Sequence, residues 1–235
     1  MRPISTDRAR RAGWRAEPGE LRADLAEAGR RLWLPAIALV AGMMLLGLLI
    51  THLLGSGWLG RQDAAVDREL AADRTGTLNA ITAVLTGLAA TPTVIGLTAL
   101  AAGILRVVSG RWREVVFLAL ATAGETAIFL LTTLVVHRSR PPVPHLDVAP
   151  PTSSFPSGHT AAAVCCYGSI AAVLLWRYRQ PVLRAVLPVL AGLLPLLIGA
   201  SRLYRGMHFP TDVLAGLLLG GSWLTATGRW YRRPG

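Results

Sequence analysis

The chain has 235 residues, 52% of them hydrophobic and only 16% charged, which excludes an ordinary soluble globule. Its formal charge of +11 comes from 24 arginines, with no lysine, against 13 acidic residues. The arginines cluster at the ends of apolar runs instead of forming one stripe, so they read as topology signals and exclude a nucleic-acid surface.

Residues 1–33 form a polar tail carrying Arg2, Arg8, Arg10, Arg11, Arg15, Arg22, Arg30 and Arg31. Within it, Leu21, Leu25, Ala28 and Leu32 recur at helical spacing and predict a surface helix over Pro18–Leu32 that leads into the membrane. The apolar stretch Leu34–Leu54 is too long for a cleaved leader and long enough to span, because about 20 residues at 1.5 Å rise cross a ~30 Å hydrocarbon layer. A polar connection, Gly55–Gly76, follows. Its alternating charges from Arg61 to Arg74 predict a solvated helix with local ion pairs, ahead of the alternative, a surface helix over the site.

The apolar region Leu78–Val108 is broken at Thr91-Pro92-Thr93. Proline suits a first helical turn, so a short dipping helix precedes it and a span covers Thr93–Val108. Four further spans are predicted at Glu114–Val136, Thr160–Trp176, Leu183–Ala200 and Val213–Thr227. Pro181, Pro188 and Pro195 are placed to bend or offset the fifth. Adjacent Cys165 and Cys166 read as small packing residues, with no disulfide and no metal site. The expected organisation is an all-α, six-span bundle over 34–228, flanked by cytoplasmic tails at 1–33 and 229–235. With both termini inside, 17 arginines fall on inner segments and seven on outer ones, in the sense of the positive-inside rule.

Three polar clusters then share the outer face: His137-Arg138-Ser139-Arg140-Pro141, Ser153 through His159, and Ser201 through Asp212. Arginine offers a planar fork of donors for phosphate oxygens and keeps its charge. Ser157-Gly158 stands where a helix N-terminus favours an anion and glycine permits close approach, with Ser157 placed to cap the helix and donate its hydroxyl. A neutral His208 can attack phosphorus, with Asp212 four residues on to fix its tautomer, and His159 is free for acid–base work.

These clusters, an Arg-Pro, a Pro-Ser-Gly-His and a Ser-Arg-x5-His-x3-Asp, resemble the motifs of the type 2 phosphatidic acid phosphatase family, over about Ser56–Thr227. The resemblance implies a six-helix membrane core, a phosphohistidine mechanism without metal or other cofactor, and lipid phosphates as substrates. By position it makes His208 the nucleophile, His159 the acid and Asp212 the partner of His208. Arg140, Arg202, Ser157 and Gly158 become the phosphate cradle.

One departure is Thr133, which occupies the position where that family usually carries lysine; Arg138 or His137 is expected to supply part of the missing positive field. A polyprenyl diphosphate is the favoured substrate, with phosphatidylglycerol phosphate and phosphatidic acid next. Phosphotransfer to an alcohol and a non-catalytic lipid-phosphate-binding protein are the competing readings. Glu125, mid-span, reads as a protonated or hydrogen-bonded packing group ahead of a lipid-path residue. Tyr204 and Arg205 stand either against a lipid head group or as interfacial anchors.

Overall fold

The computed structural model describes residues 18–233, all helix and connecting segments. Eight helices follow one another: α1 Pro18–Leu48, continued by a π-helical stretch Leu49–Leu54, then α2 Trp58–Ala72, α3 Gly76–Leu88, α4 Thr91–Ser109, α5 Trp112–Thr133, α6 Gly158–Arg177, α7 Pro181–Tyr204 and α8 Pro210–Arg232. Among the described residues five helices are long and apolar enough to cross a membrane: Gly19–Leu54, Thr91–Ser109, Trp112–Thr133, Gly158–Arg177 and Pro181–Tyr204. Helix α8, at 23 residues, is long enough but less apolar, with Asp212 in its first turn and Arg229 and Arg232 in its last. Leucines and valines such as Leu45, Leu53, Val84 and Val182 face outward, where lipid replaces water as solvent.

The helix predicted over Pro18–Leu32 and the predicted first span form one continuous helix, α1. Ala28 and Leu32 are buried in the main core, and Leu21 packs against it. The arginine-rich stretch before Pro18 lies outside the described residues. Helix α7 runs unbroken through Pro188 and Pro195.

Helix α6 lies at the centre, against α5, α7 and α8. Its seam with α8 is made by small residues at one-turn spacing. A Cβ at Gly216 would stand 2.5 Å from Ser157 O, and one at Gly220 would stand 2.9 Å from Ala161 O. Backbones that approach so closely give membrane helices their packing where no hydrophobic drive exists between them. Cys165 and Cys166 are free and buried in the same region, Cys165 donating to Gly220 O at 3.5 Å.

At the opposite end of α8, one side chain collects the helix terminus. Arg113 donates to Trp230 O, Tyr231 O and Arg233 O at 2.8, 3.1 and 3.3 Å, and to Asp24 and Glu27 of α1 at 2.9 and 2.8 Å. The last carbonyls of a helix have no donors of their own, and a guanidinium supplies them here.

Candidate active site

The chain crosses back on itself where α7 ends and α6 and α8 begin. Backbone hydrogen bonds stitch the three motif segments together: Ser154 N to Arg138 O and Ser157 N to Asp212 O, each 2.9 Å, and Leu146 N to Arg205 O, 3.1 Å. Gly206 makes the turn that delivers His208. Its φ of +72° is one that side-chain-bearing residues rarely adopt, and a Cβ there would meet Val143 Cγ2 at 2.8 Å.

His208 is almost fully buried, and its Nδ1 lies 2.7 Å from Ser154 O. A carbonyl oxygen only accepts, so Nδ1 carries the hydrogen and Nε2 keeps its lone pair. Burial, followed by the Arg202 and Arg140 charges, pushes the His208 imidazole well below its ordinary value, so the ring stays neutral. The direct His208–Asp212 partnership expected from spacing is replaced by this carbonyl, with the carboxylate 3.9 Å away. Asp212 instead accepts from the Ser154 hydroxyl and from Phe209 N–H, and its other oxygen takes Arg138 Nη1 at 2.5 Å. Ser154 therefore joins the two residues, its peptide oxygen on the imidazole and its hydroxyl on the carboxylate.

Of the cations, Arg140 is bonded among the described residues only to backbone carbonyls, Met207 O at 2.8 Å and Thr152 O at 3.4 Å, with no carboxylate paired to it there. Arg202 donates to Thr86 Oγ1 and to Asp147, at 2.6 and 2.7 Å, while its buried Nε has no partner among the described residues. Asp147 also binds Arg205, so two guanidiniums share one carboxylate and one positive charge is left over. Burial raises the Asp147 carboxyl, but the hydrogen bonds and charges of Arg205 and Arg202 outweigh it and hold it below the usual range. His159, half-buried in the first turn of α6, lies in the field of Arg202, Asp147 and Arg140. Tyr204 and Arg205 are both buried and held by protein groups. The Tyr204 hydroxyl accepts from Thr75 N at 2.9 Å, and Arg205 is held by Asp147, Asn79 O and Leu146 O.

Other expectations change. Arg138 is buried between Asp63 (2.8 Å) and Asp212 and rests over the Phe209 ring. His137 is exposed. Thr133 turns its hydroxyl back to Leu130 O, 2.8 Å away. Ser157 is fully buried, and its hydroxyl pairs with Thr160 Oγ1 at 2.9 Å instead of capping α6. Gly158 is required by packing at least, since a Cβ would meet the Phe129 ring at 3.0 Å. Helix α2, expected to be solvated, buries Asp63 and Asp67 beneath it. Glu125 is buried with only Thr126 Oγ1 near, at 3.4 Å, as a packing group would be.

Sequence reasoning had assigned no role to Asp63, Asp147 or Ser154. A separation of 75 positions along the chain hid the pairing of Asp63 with Arg138.

Comparison with known proteins agrees with this arrangement. Residues 114–235, which include all three motifs, match the PAP2 superfamily. The chain is 31% identical over 105 residues to an undecaprenyl-diphosphatase of Sulfolobus acidocaldarius, 43% of this chain and 45% of that protein. It is 40% identical over 70 residues to phosphatidylglycerophosphatase B of Bacillus subtilis, 28% and 34% of the two chains. The matches thus span less than half the length of these relatives. The fold likeness is wider: the crystal structure of a transmembrane PAP2-type phosphatidylglycerolphosphate phosphatase from Bacillus subtilis aligns with TM-score 0.70 and 25% identity, covering 81% of this chain and 94% of the other. With its apolar helices and its three converging motif segments, the chain is an all-helical, multi-pass membrane protein that belongs to the PAP2 superfamily.

Proposed function

We propose that the protein is a membrane lipid phosphatase that works through a phosphohistidine on His208, without a metal ion. The observation that carries this reading is the hydrogen bond from His208 Nδ1 to Ser154 O, which leaves Nε2 as the nucleophile beside the charges of Arg140 and Arg202. Phosphate oxygens bind to those two arginines and to the free N–H groups that begin at Gly158 in the first turn of α6, while Ser157 is occupied by Asp212 O and Thr160. Nε2 attacks phosphorus, and His159 gives a proton to the leaving lipid oxygen. His159 then takes a proton from water as that water cleaves the P–N bond. The positive charge on phosphorylated His208 is met by the Ser154 carbonyl and, 3.9 Å off, by Asp212.

The topology we assign has six spans, α8 being the sixth, with both termini cytoplasmic and the site on the extracytoplasmic face. It is supported by the arginine distribution and by the length of α8. The membrane domain is taken to run to about residue 228, with the final residues as a tail.

Names of the relatives support a lipid diphosphate or phosphate as substrate, with a polyprenyl diphosphate first. Phosphatidylglycerol phosphate is the second reading, favoured by the fold likeness at TM-score 0.70. The test is phosphate release by purified protein in detergent with EDTA, on a polyprenyl diphosphate, phosphatidylglycerol phosphate and phosphatidic acid, beside His208→Ala. Release that persists in EDTA and vanishes in the variant is expected. Absence of release from all three substrates by folded protein would favour the binding-only reading, and release suppressed by added alcohol would indicate phosphotransfer.

A further inference from the structure

Helix α2 lies outside the region matched to the superfamily, yet it reaches the site through one buried carboxylate. Asp63 is 3% exposed, and both its oxygens are engaged. Oδ2 accepts from Arg138 Nη2 at 2.8 Å and from Thr211 Oγ1, and Oδ1 accepts from Thr211 N at 3.2 Å. Thr211 stands in the first turn of α8, whose free N–H groups attract a carboxylate. Asp63 thus caps α8 from another helix while gripping Arg138. The other arm of Arg138 grips Asp212, Asp212 takes the Ser154 hydroxyl, and the Ser154 carbonyl takes His208. A continuous chain of polar contacts joins α2 to the imidazole.

We propose that Asp63 is a positioning residue for His208, dividing the charge of Arg138 so that Asp212 keeps enough negative charge to support a positive imidazole. The inference rests on the phosphohistidine reading above. With Asp63 present, one guanidinium serves two carboxylates. Without it, the whole charge of Arg138 falls on Asp212, and the field at His208 becomes more positive. The groups that set this field are Arg140, Arg202, His159 and Asp212 around His208, with Arg138, Asp63 and Asp67 behind Asp212. A more positive field disfavours both protonation and phosphorylation of the ring. The effect therefore has a signature that packing alone would not give.

The experiment is steady-state phosphate release by the full chain in detergent micelles, on a polyprenyl diphosphate, phosphatidylglycerol phosphate and phosphatidic acid, across the acid pH range. Asp63→Asn is expected to lower kcat about tenfold or more with KM little changed, as befits a lost hydrogen bond to a charged group. It also moves the acid limb of kcat/KM to lower pH, and Asp63→Glu recovers most of the loss. Wild-type kcat in Asp63→Asn, or a loss with an unmoved limb that Asp63→Glu does not recover, overturns the inference. Should Asp63→Asn fail to fold, Thr211→Val removes the hydroxyl that donates to Asp63 and accepts from Arg138 Nη1 at 2.7 Å, loosening the same link without altering any charge. A kcat lowered about threefold or more at unchanged KM supports the inference, and an unchanged kcat overturns it. A wild type that releases no phosphate, or a His208→Ala variant that still does, overturns the phosphohistidine reading itself; an active wild type that fails only the Asp63 tests overturns this inference alone.

Discussion

Replacing Gly216 by alanine tests whether the α6–α8 seam sets the geometry of the site. The added Cβ would lie 2.5 Å from Ser157 O, 3.1 Å from Thr160 Cβ and 3.3 Å from Ser157 Cβ. Ordinary contact begins at 3.4 Å, so the helices must part by about 0.9 Å. The oxygen it meets belongs to backbone and cannot rotate away. Overpacking of this kind costs about 1–3 kcal/mol, and a domain of this size loses roughly 2–4 °C of melting temperature per kcal/mol. The displaced residues are the ones that matter for chemistry, because Ser157 N donates to Asp212 O across the same seam. A misplacement near 1 Å lowers turnover by about a hundredfold. Gly221 on the same helix is the control: a Cβ there meets nothing within 4 Å, so alanine gains about 1 kcal/mol in helix propensity. The assay is phosphate release per folded molecule together with a thermal melt in detergent. Wild-type turnover and melting temperature in Gly216→Ala would refute the reasoning, as would equal damage from Gly221→Ala.

The acid limb of kcat/KM is expected below 6.5, the ordinary imidazole value, because burial and then Arg202 and Arg140 keep His208 neutral as pH falls. Arg140→Ala removes one of those charges and moves the limb upward; a limb at or above 6.5 that ignores the substitution would contradict this. Asp67 is buried with neither carboxylate oxygen partnered, and burial, with the Asp63 and Asp212 charges, pushes it up from 3.8 to about 8. A raised carboxyl favours the protonated folded state, so its contribution to stability falls as pH climbs from about 4 to about 8 and is flat beyond. Melts of Asp67→Asn against wild type across that range should show the variant gaining steadily and then levelling, and parallel curves would exclude the effect.

Much of the fold is legible in the apolar runs. A helix that must satisfy its own backbone in lipid announces itself by length, and α4 to α7 fall within a few residues of their predicted limits. The two sides of α1 were harder to join, because polar Arg30 and Arg31 look like an end although the helix passes straight through them. The motifs supplied His159, His208, Arg140 and Arg202, which do converge.

What the motifs could not supply is direction. Arg138 and Arg140 lie two residues apart in a non-helical stretch, yet one is absorbed by two carboxylates and the other touches only carbonyls. The Arg-Pro motif singles out Arg140, but nothing in the sequence shows that two carboxylates absorb Arg138. The Ser154 carbonyl is equally silent, since every residue has one. In α2, alternating charges look like a solvated surface until the fold lays Asp63 beneath it.

The Arg113 cluster has a consequence for the far end of the molecule. At 1.5 Å per residue the carbonyls of Trp230 and Tyr231 lie about 30 Å along α8 from Thr211 and Asp212, with Arg233 O just beyond. With α1 and α5 both fastened to those carbonyls, α8 can neither slide along its axis nor rotate without breaking charged bonds. The position of Asp212 along α8 is therefore set partly from the far end of that helix, as the height of a mast is set by its step.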